Sequence, residues 1–217
     1  MSVDDPSLKI TEIFKSIQGE STRAGLPCTF VRLTGCALRC VWCDTAYAFH
    51  GGRDMPVSDA AATALAMETD LVEITGGEPL EQEAVYPLME RLLDAGKTVL
   101  LETGGHVALD RVDPRVVKIV DVKAPGSGMQ HANLPENLEH LRPHDELKFV
   151  LADRRDFDWS LALVRERDLD RRNVVTFSPA WGSLPAEDLA AWVRDSGRTI
   201  RLGLQLHKVI WGDVPGR

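Results

Sequence analysis

The chain has 217 residues, 44% of them hydrophobic, and a formal net charge of -8 at pH 7. A chain of this length can bury a full core, and no repeat or low-complexity tract divides it, so we expect one domain over residues 1–217. The acidic balance excludes nonspecific nucleic-acid binding, which needs a basic surface. No stretch approaches the roughly 20 apolar residues that span a bilayer. Nothing at the N-terminus reads as a secretory signal, so a cytoplasmic protein is predicted.

Short apolar runs alternate with helical patterns, which is typical of a mostly parallel sheet covered by helices. The predicted strands are 8–14, 29–34, 71–75, 98–103, 116–123, 146–152, 174–178 and 200–207. The predicted helices are 58–67, 81–94, 135–141, 157–167 and 185–195, with Ser58 as a start signal and Gly96 as a stop signal. The first strand is a candidate N-terminal extension. A complete eight-fold barrel needs about 250 residues, so an α/β fold with an abbreviated, partial TIM-like barrel is predicted.

Polar side chains share one face of several predicted strands, because successive side chains point to opposite faces. These residues are Arg32 and Thr34, Glu73 and Thr75, Asp121 and Lys123, Glu146 and Lys148, Thr176 and Ser178, and Glu102 at another strand end. In 200–207, isoleucine and three leucines form a face expected to meet helices, opposite Arg201 and His207. Barrel interiors are normally apolar, so polar inner faces predict a lumen filled by water or ligand. The alternative is a solvated face, as in an antiparallel sheet.

Three of the four cysteines, Cys36, Cys40 and Cys43, lie within eight residues of one another, just after an apolar run. Three thiolates at this spacing can bind three corners of an iron–sulfur cube, and soft sulfur ligands suit such a cluster. A structural zinc site is the alternative, with Cys28 or His50 as its fourth ligand. Disulfides are disfavoured because three crowded cysteines cannot all pair. Cys28 is expected to be a buried core thiol.

The C-x3-C-x2-C spacing, with Trp42 before the last cysteine, resembles the radical S-adenosylmethionine (SAM) superfamily. The resemblance implies a [4Fe-4S] cluster on Cys36, Cys40 and Cys43, with the amino and carboxyl groups of SAM on the fourth iron. About thirty residues later, Gly76-Gly77-Glu78-Pro79 follows a predicted strand. Alone it could be a mere strand-to-helix turn. Together with the cysteines it resembles the motif with which that superfamily holds the methionine amino group.

Further strand ends complete the implied SAM site, since parallel α/β folds place their sites at the carboxyl ends of strands. The implied cofactor-binding residues are Gly77, Asp121, Val122, Lys123, Ser178 and Pro179. For the strand-end residues the alternative is a turn or an ion pair. Five histidines are predicted to be solvated: His50, His106, His131, His140 and His144.

Four separated segments narrow the resemblance to one family. They are 10–20, 22–33, Cys43-Asp44-Thr45 and 205–208, and they look like the 7-carboxy-7-deazaguanine synthase family over nearly the whole chain. The resemblance implies conversion of 6-carboxy-5,6,7,8-tetrahydropterin to 7-carboxy-7-deazaguanine, with ring contraction and loss of ammonia. It also implies a place on the route to queuosine, a tRNA modification, and the use of the cluster, SAM and Mg²⁺.

The family also implies which residues contact the substrate and the metal. Substrate contacts are expected from Ile17, Gln18, Gly19, Glu20, Arg32, Thr75, Glu102 and His207. Thr45 matches the magnesium ligand, and Asp44 is the alternative ligand or orients the waters of the ion. Flavodoxin or ferredoxin would supply the electron that cleaves SAM, and the resulting radical would take hydrogen from C6 of the pterin. A homodimer is expected from the family alone, and the tail 211–217 is assigned no contacts.

Two rival functions share some of these features. An activase that installs a glycyl radical on a partner enzyme would share the cysteines and the glycine pair, but it would need an exposed groove for a protein loop. A zinc-stabilised interaction module would use the cysteines alone and would leave the polar strand faces unexplained.

Overall fold

The computed structural model describes residues 5–214 and 216, so the N-terminal four residues and parts of the tail lie outside the description. Nine strands form one sheet in the order β3-β1-β2-β4-β5-β6-β7-β8-β9. They are β1 (Ser7–Ile17), β2 (Pro27–Leu33), β3 (Arg53–Pro56), β4 (Leu71–Gly76), β5 (Thr98–Thr103), β6 (Val117–Asp121), β7 (Glu146–Leu151), β8 (Val174–Pro179) and β9 (Ile200–Leu202). β1 pairs antiparallel with β2 and β3, whereas every neighbouring pair from β2 to β9 is parallel.

In the part of the chain that the structure describes, six α-helices accompany the sheet: α1 (Val57–Leu65), α2 (Val85–Asp94), α3 (Arg154–Arg167), α4 (Leu169–Arg172), α5 (Ala186–Arg194) and α6 (Leu206–Trp211). The apolar sides of α1 to α5 pack with the outer face of the sheet in one large buried cluster, which includes Leu88 and Phe177. The apolar side chains of α6, such as Val209 and Ile210, are exposed. β3 and β9 are the two ends of the sheet order, so the barrel is open. The predicted partial α/β barrel is confirmed, and β1 is an antiparallel extension as expected. Within the described residues, the helices are all too short or too polar to cross a membrane.

The inner face of the sheet changes character along the strands. The half nearer the amino ends of the strands, called the lower half below, is apolar. There Phe30, Leu71 and Leu100 pack with the buried thiol of Cys28. Burial raises the pKa of that thiol well above its usual range. Two residues further along β4 the same face carries Glu73, which is 3% exposed. The lower half therefore fills the barrel as in other barrels, and the upper half forms a polar cavity. The alternative of solvated strand faces is wrong.

Several predicted element boundaries are wrong. α1 begins after Pro56, and the Ser58 hydroxyl bonds to Asp5 at 2.5 Å instead of capping the helix. The segment Pro135–Glu139 is a 3-10 helix, and α2 begins at Val85 after a separate 3-10 turn. Gly96 does end α2, in a left-handed conformation with φ +79. The sequence patterns also miss β3, α4 and α6.

The largest difference concerns 200–207, for which the alternating pattern predicts one strand. β9 ends at Leu202, and α6 begins at Leu206. Ile200 packs against the core, but Leu202 and Leu204 are 37% and 45% exposed, so most of the apolar face expected to meet helices does not do so. The chain leaves the sheet because its polar residues after Leu204 bind groups across the cavity, as described below.

Candidate active site

The cysteine loop leaves the carboxyl end of β2 and lies against the glycine pair that follows β4. The Glu78 N–H donates to the Gly35 carbonyl at 2.7 Å, and the Gly77 N–H donates to the Leu33 carbonyl at 3.1 Å. A side chain on Gly77 would overlap the Gly35 carbonyl, so only glycine permits this contact. The loop thereby presents three free, half-buried thiols to one cavity; they belong to Cys36, Cys40 and Cys43.

The spacing of the thiols distinguishes an iron–sulfur cluster from a single zinc ion. Zinc–sulfur bonds of about 2.3 Å in a tetrahedron place sulfur atoms roughly 3.8 Å apart. Among the described residues, the group of potential ligand atoms that lie within 4.8 Å of one another is Cys36, Glu81 and His106, and it contains a single cysteine. Cys28 is fully buried in another part of the barrel, and His50 is exposed, so neither supplies the fourth zinc ligand. Three soft thiols around a wider gap fit the cluster.

Burial raises the pKa of the cluster thiols, to about 11 for Cys36. The charge of Lys123 partly opposes this effect at Cys40 and Cys43. Ligation requires thiolates, so binding of a cluster releases protons from these groups.

The thiols open into a cavity of about 290 Å³ at the carboxyl ends of the parallel strands. All eight predicted substrate residues line it: Ile17, Gln18, Gly19, Glu20, Arg32, Thr75, Glu102 and His207. Of the predicted cofactor and metal residues, Gly77, Asp121, Lys123, Thr45 and the three cysteines line it as well. The structure thus gathers residues from β1, β2, β4, β5, β6 and the C-terminal segment around one space.

Lys148, for which the sequence predicts only a polar strand face, lines this cavity. Its ammonium group contacts Glu20 at 2.6 Å and also bonds Glu102. Burial opposes its charge, but Glu102 and Glu20 raise the pKa of Lys148 well above its usual range. The strand pattern gives its inner-face position on β7 but not its contact with Glu102, which lies on β5 on the other side of β6. It belongs with the candidate site residues.

Arg32 lies in the cavity wall between two aromatic rings. Its Nε donates to Glu12 Oε1 at 2.8 Å, and the guanidinium lies 5.8 Å from the ring centroids of Phe14 and Tyr47. The Tyr47 hydroxyl donates to the same Glu12 oxygen at 2.8 Å. The carboxylate of Glu12 leaves part of the guanidinium free to bind an anion in the cavity.

The C-terminal segment closes one side of the cavity. The Leu206 N–H donates to the Gly19 carbonyl at 2.9 Å, and Gln205 Nε2 donates to Glu20 Oε1 at 2.8 Å. The His207 ring lies directly against Gly19, where any side chain would overlap it. Burial lowers the pKa of His207, which favours the neutral imidazole. These contacts explain why the chain turns away from β9.

Thr45 and Asp44 form a connected pair beside the cysteines. The Thr45 hydroxyl donates to Asp44 Oδ1 at 2.9 Å, and Asp44 Oδ2 accepts from Lys208 at 2.8 Å and from Gln205 at 3.0 Å. Burial alone would raise the pKa of Asp44, but Lys208, Gln205 and Thr45 together lower it below its usual range. Asp44 is therefore an engaged carboxylate, and the oxygen of Thr45 keeps lone pairs for a further contact.

Three predicted cofactor residues do not line the main cavity. Val122 is buried behind it, and Pro179 ends β8. Ser178 lines a second cavity of about 90 Å³, which shares Glu20 and Lys148 with the first. Contacts from these three residues to SAM stay predictions. Asp121 and Lys123 form an ion pair of 2.9 Å in the main cavity wall.

His106 is not solvated, as the sequence predicts, since its side chain is only 10% exposed. Its Nε2 lies 2.9 Å from Glu81 Oε1, and its Nδ1 lies 3.5 Å from the buried carboxyl of Glu78. The same Glu81 oxygen accepts from the Ala37 N–H, next to the first cysteine, at 2.8 Å. His106 therefore supports the cysteine loop, whereas the other four predicted histidines are exposed.

Comparisons with known proteins agree with this geometry. The Radical SAM superfamily matches residues 30–123. The 7-carboxy-7-deazaguanine synthase of Koribacter versatilis is 48% identical over 94% of this chain and 97% of its own, and that of Chlorobaculum tepidum is 43% identical over 97% of each. The crystal structure of QueE from Escherichia coli shares the fold, with a TM-score of 0.75 and 24% identity over 93% of this chain and 95% of that chain. The chain therefore belongs to the 7-carboxy-7-deazaguanine synthase family within the radical SAM superfamily.

Proposed function

We propose that this protein converts 6-carboxy-5,6,7,8-tetrahydropterin to 7-carboxy-7-deazaguanine with loss of ammonia. The observation that carries the proposal is the single cavity of about 290 Å³ in which three cysteines meet a wall of acidic, basic and amide groups. A pterin presents alternating donors and acceptors along its ring edge together with an acid group. The cavity offers carboxylates, an arginine and a histidine at the carboxyl ends of the strands, beside the cysteines.

The chain's own residues would bind and orient this substrate. Arg32 provides a cation for the substrate acid group, and the ring of Phe14 beside it restricts the movement of the guanidinium. Glu20 and Glu102 accept hydrogen bonds from ring N–H groups while Lys148 neutralises them. The segment with His207 covers the ring and excludes water.

Thr45 is the residue that would hold Mg²⁺. Its hydroxyl proton is committed to Asp44, so its oxygen lone pairs are available to a hard cation that prefers oxygen ligands. Asp44 has both oxygens engaged by Thr45, Lys208 and Gln205, which supports a role in orienting Thr45 over direct ligation. Thr45 and Arg32 line the same cavity, so Thr45 would bind the substrate carboxylate through Mg²⁺ and Arg32 would bind it directly.

Cys36, Cys40 and Cys43 would hold the [4Fe-4S] cluster, and Gly77 with Asp121 and Lys123 would bind SAM. When bound, these groups supply the radical chemistry that starts the reaction. Four further features complete the proposal: a flavodoxin or ferredoxin as electron donor, a homodimer, a cytoplasmic location and a single domain over residues 1–217. Those four features are proposed from the family resemblance and the continuous nine-stranded sheet.

The rival functions are less well supported. A glycyl-radical activase needs an open groove, whereas the segment from Gln205 to Lys208 covers this cavity with bonds to Gly19, Glu20 and Asp44. A zinc module needs four close ligands, and the cysteine thiols do not group in that way.

Anaerobic reconstitution with iron and sulfide, followed by addition of SAM, reductant, Mg²⁺ and the carboxytetrahydropterin, tests the proposal. We expect a brown protein that forms 7-carboxy-7-deazaguanine and ammonia in equal amounts. A control with tetrahydropterin lacking the carboxylate should give no product. An iron-loaded protein that cleaves SAM but leaves the carboxypterin unchanged would overturn the proposal.

A further inference from the structure

The floor of the cavity holds three carboxyl groups and one ammonium group. Glu20 follows β1, Glu73 lies on β4, Glu102 lies on β5 and Lys148 lies on β7, and all four line the same space. Lys148 contacts Glu20 and Glu102. Glu73 makes no ion pair among the described residues, and its side chain accepts a hydrogen bond from the amide of Gln18.

Glu73 and Glu102 occupy neighbouring positions on the inner face of the sheet. They lie on neighbouring parallel strands and on the same face, since Glu73 pairs with Leu100 and Glu102 is two residues further along. Both side chains line the cavity, and the ammonium group of Lys148 bonds Glu102 and not Glu73. Two ionised carboxylates at neighbouring positions repel each other, so a proton on one of them stabilises the arrangement.

The surroundings of Glu73 favour the proton on that residue. Its side chain is nearly inaccessible, and burial, followed by the charges of Glu102 and Glu20, raises its pKa well above the usual range. Lys148 acts in the opposite direction but is shared by the other two carboxylates. The remaining titratable group against it is the Cys28 thiol on β2, which burial keeps protonated.

The proposed reaction needs a group that can both give and accept a proton. Loss of ammonia is an elimination, in which a C–N bond and a neighbouring C–H bond break and a C=C bond forms. The electron pair of the C–N bond stays on nitrogen, which takes up a proton, while the ring carbon releases one. A carboxyl pair that shares one proton can do both and return to its starting state.

We propose that Glu73 and Glu102 share one proton at the cavity floor and that this pair transfers it to the departing nitrogen. The inference rests on the proposed function. Glu102 faces the substrate and delivers the proton to the nitrogen. Glu73 acts through Glu102, to which it passes a proton in turn. The proton released by the ring carbon then returns to the pair, so no outside acid or base is consumed.

Glu73→Gln tests the pair because it keeps the side-chain volume and the neutral charge but cannot release a proton. General acid–base groups contribute about 10²- to 10⁴-fold, so we expect kcat to fall by about 10²-fold or more while KM and SAM affinity stay near the parent values. Transfer of deuterium from C6 of the substrate to SAM should persist, since it precedes the elimination. The matched control Glu90→Gln changes an exposed glutamate on α2 and should keep the parent kcat.

A second measurement addresses the proton directly. Infrared spectra of the reconstituted protein near neutral pH should show the carbonyl stretch of a protonated carboxyl that shifts in D2O. The parent minus Glu73→Gln difference should contain this band, and the parent minus Glu90→Gln difference should not. A parent spectrum without a protonated carboxyl would overturn the inference even if the glutamine variant did not fold.

The outcomes separate the inference from the proposed function. A parent that forms product, together with a Glu73→Gln variant of unchanged kcat, overturns the proton-sharing pair alone. Loss of deuterium transfer in proportion to kcat would also overturn it, because Glu73 would then act before the elimination. A parent that forms no product overturns the proposed function and the delivery step with it.

Discussion

Gly77→Ala should uncouple the cysteine loop from the sheet. The new Cβ would overlap the carbonyl oxygen of Gly35 and lie 2.9 Å from the Cβ of Cys36. Real Cβ contacts are essentially never this short, and backbone atoms cannot rotate aside as a side chain can. The loop must therefore move away from β4, and the thiol of Cys36 moves with it.

The cost follows from the bonds that hold the two segments together. Two backbone hydrogen bonds join the cysteine loop to β4. The Gly77 N–H donates to the Leu33 carbonyl, and the Glu78 N–H donates to the Gly35 carbonyl. At about 0.5–1.5 kcal/mol each, their loss weakens the arrangement by about 1–3 kcal/mol. Each 1.4 kcal/mol is about tenfold in affinity. We therefore expect SAM binding about 5- to 140-fold weaker and incomplete iron loading.

Iron and sulfide content after anaerobic reconstitution, together with calorimetric titration of SAM, would measure both effects. Gly96→Ala is the control: it places alanine at φ +79 with no atom within 4 Å, at the end of α2. It should cost about 1–2 kcal/mol of stability through backbone strain alone and keep full iron loading. If Gly77→Ala loaded iron and bound SAM as Gly96→Ala does, the close approach would not control the site.

Other variants test the site assignments separately. Cys40→Ala should lose the cluster while Cys28→Ala keeps it, and iron analysis giving the reverse pattern would refute the ligand assignment. Arg32→Ala should raise KM for the carboxypterin or lower turnover with SAM affinity unchanged, and an equal loss of SAM affinity in calorimetry would move this residue to the cofactor site. Thr45→Ala should keep the cluster but lose most of the stimulation by Mg²⁺, which Thr45→Ser should largely retain; unchanged stimulation in the alanine variant would favour Asp44. Because burial raises the folded-state pKa of Glu73 above its unfolded value of about 4.3, the folded state binds more protons and the free energy of unfolding falls as pH rises toward the folded pKa. In urea titrations at several pH values, the free energy of unfolding of Glu73→Gln should fall less steeply with rising pH than that of the parent. Equal dependence on pH in the two proteins would contradict the raised pKa.

The local sequence determines the inner faces of the strands. A side-chain period of two is a property of extended backbone, so the positions of Arg32, Glu73 and Thr75 on one face could be read without a structure. The spacing of the cysteines and the glycine pair is likewise local, and both motifs lie where the strand pattern predicts. The parallel order followed from the helical segments between the strands.

The tertiary structure alone decides where local patterns end and which charged groups meet. The alternation in 200–207 predicts a strand, but Gln205 leaves the sheet because its amide bonds Glu20 and Asp44, far away in the chain. His106 is buried because Glu78 and Glu81 lie beside it across a strand crossover.

The same reason applies to the proton on Glu73. The charge state of Glu73 depends on Lys148, which lies 75 residues later in the chain and pairs with Glu20 and Glu102 instead. Periodicity determines which way a side chain points, since that depends on a few neighbouring backbone angles. Burial and electrostatic pairing depend on segments that only the folded chain brings within a few ångströms, so the sequence determined the face on which Glu73 lies and the fold decided its chemistry.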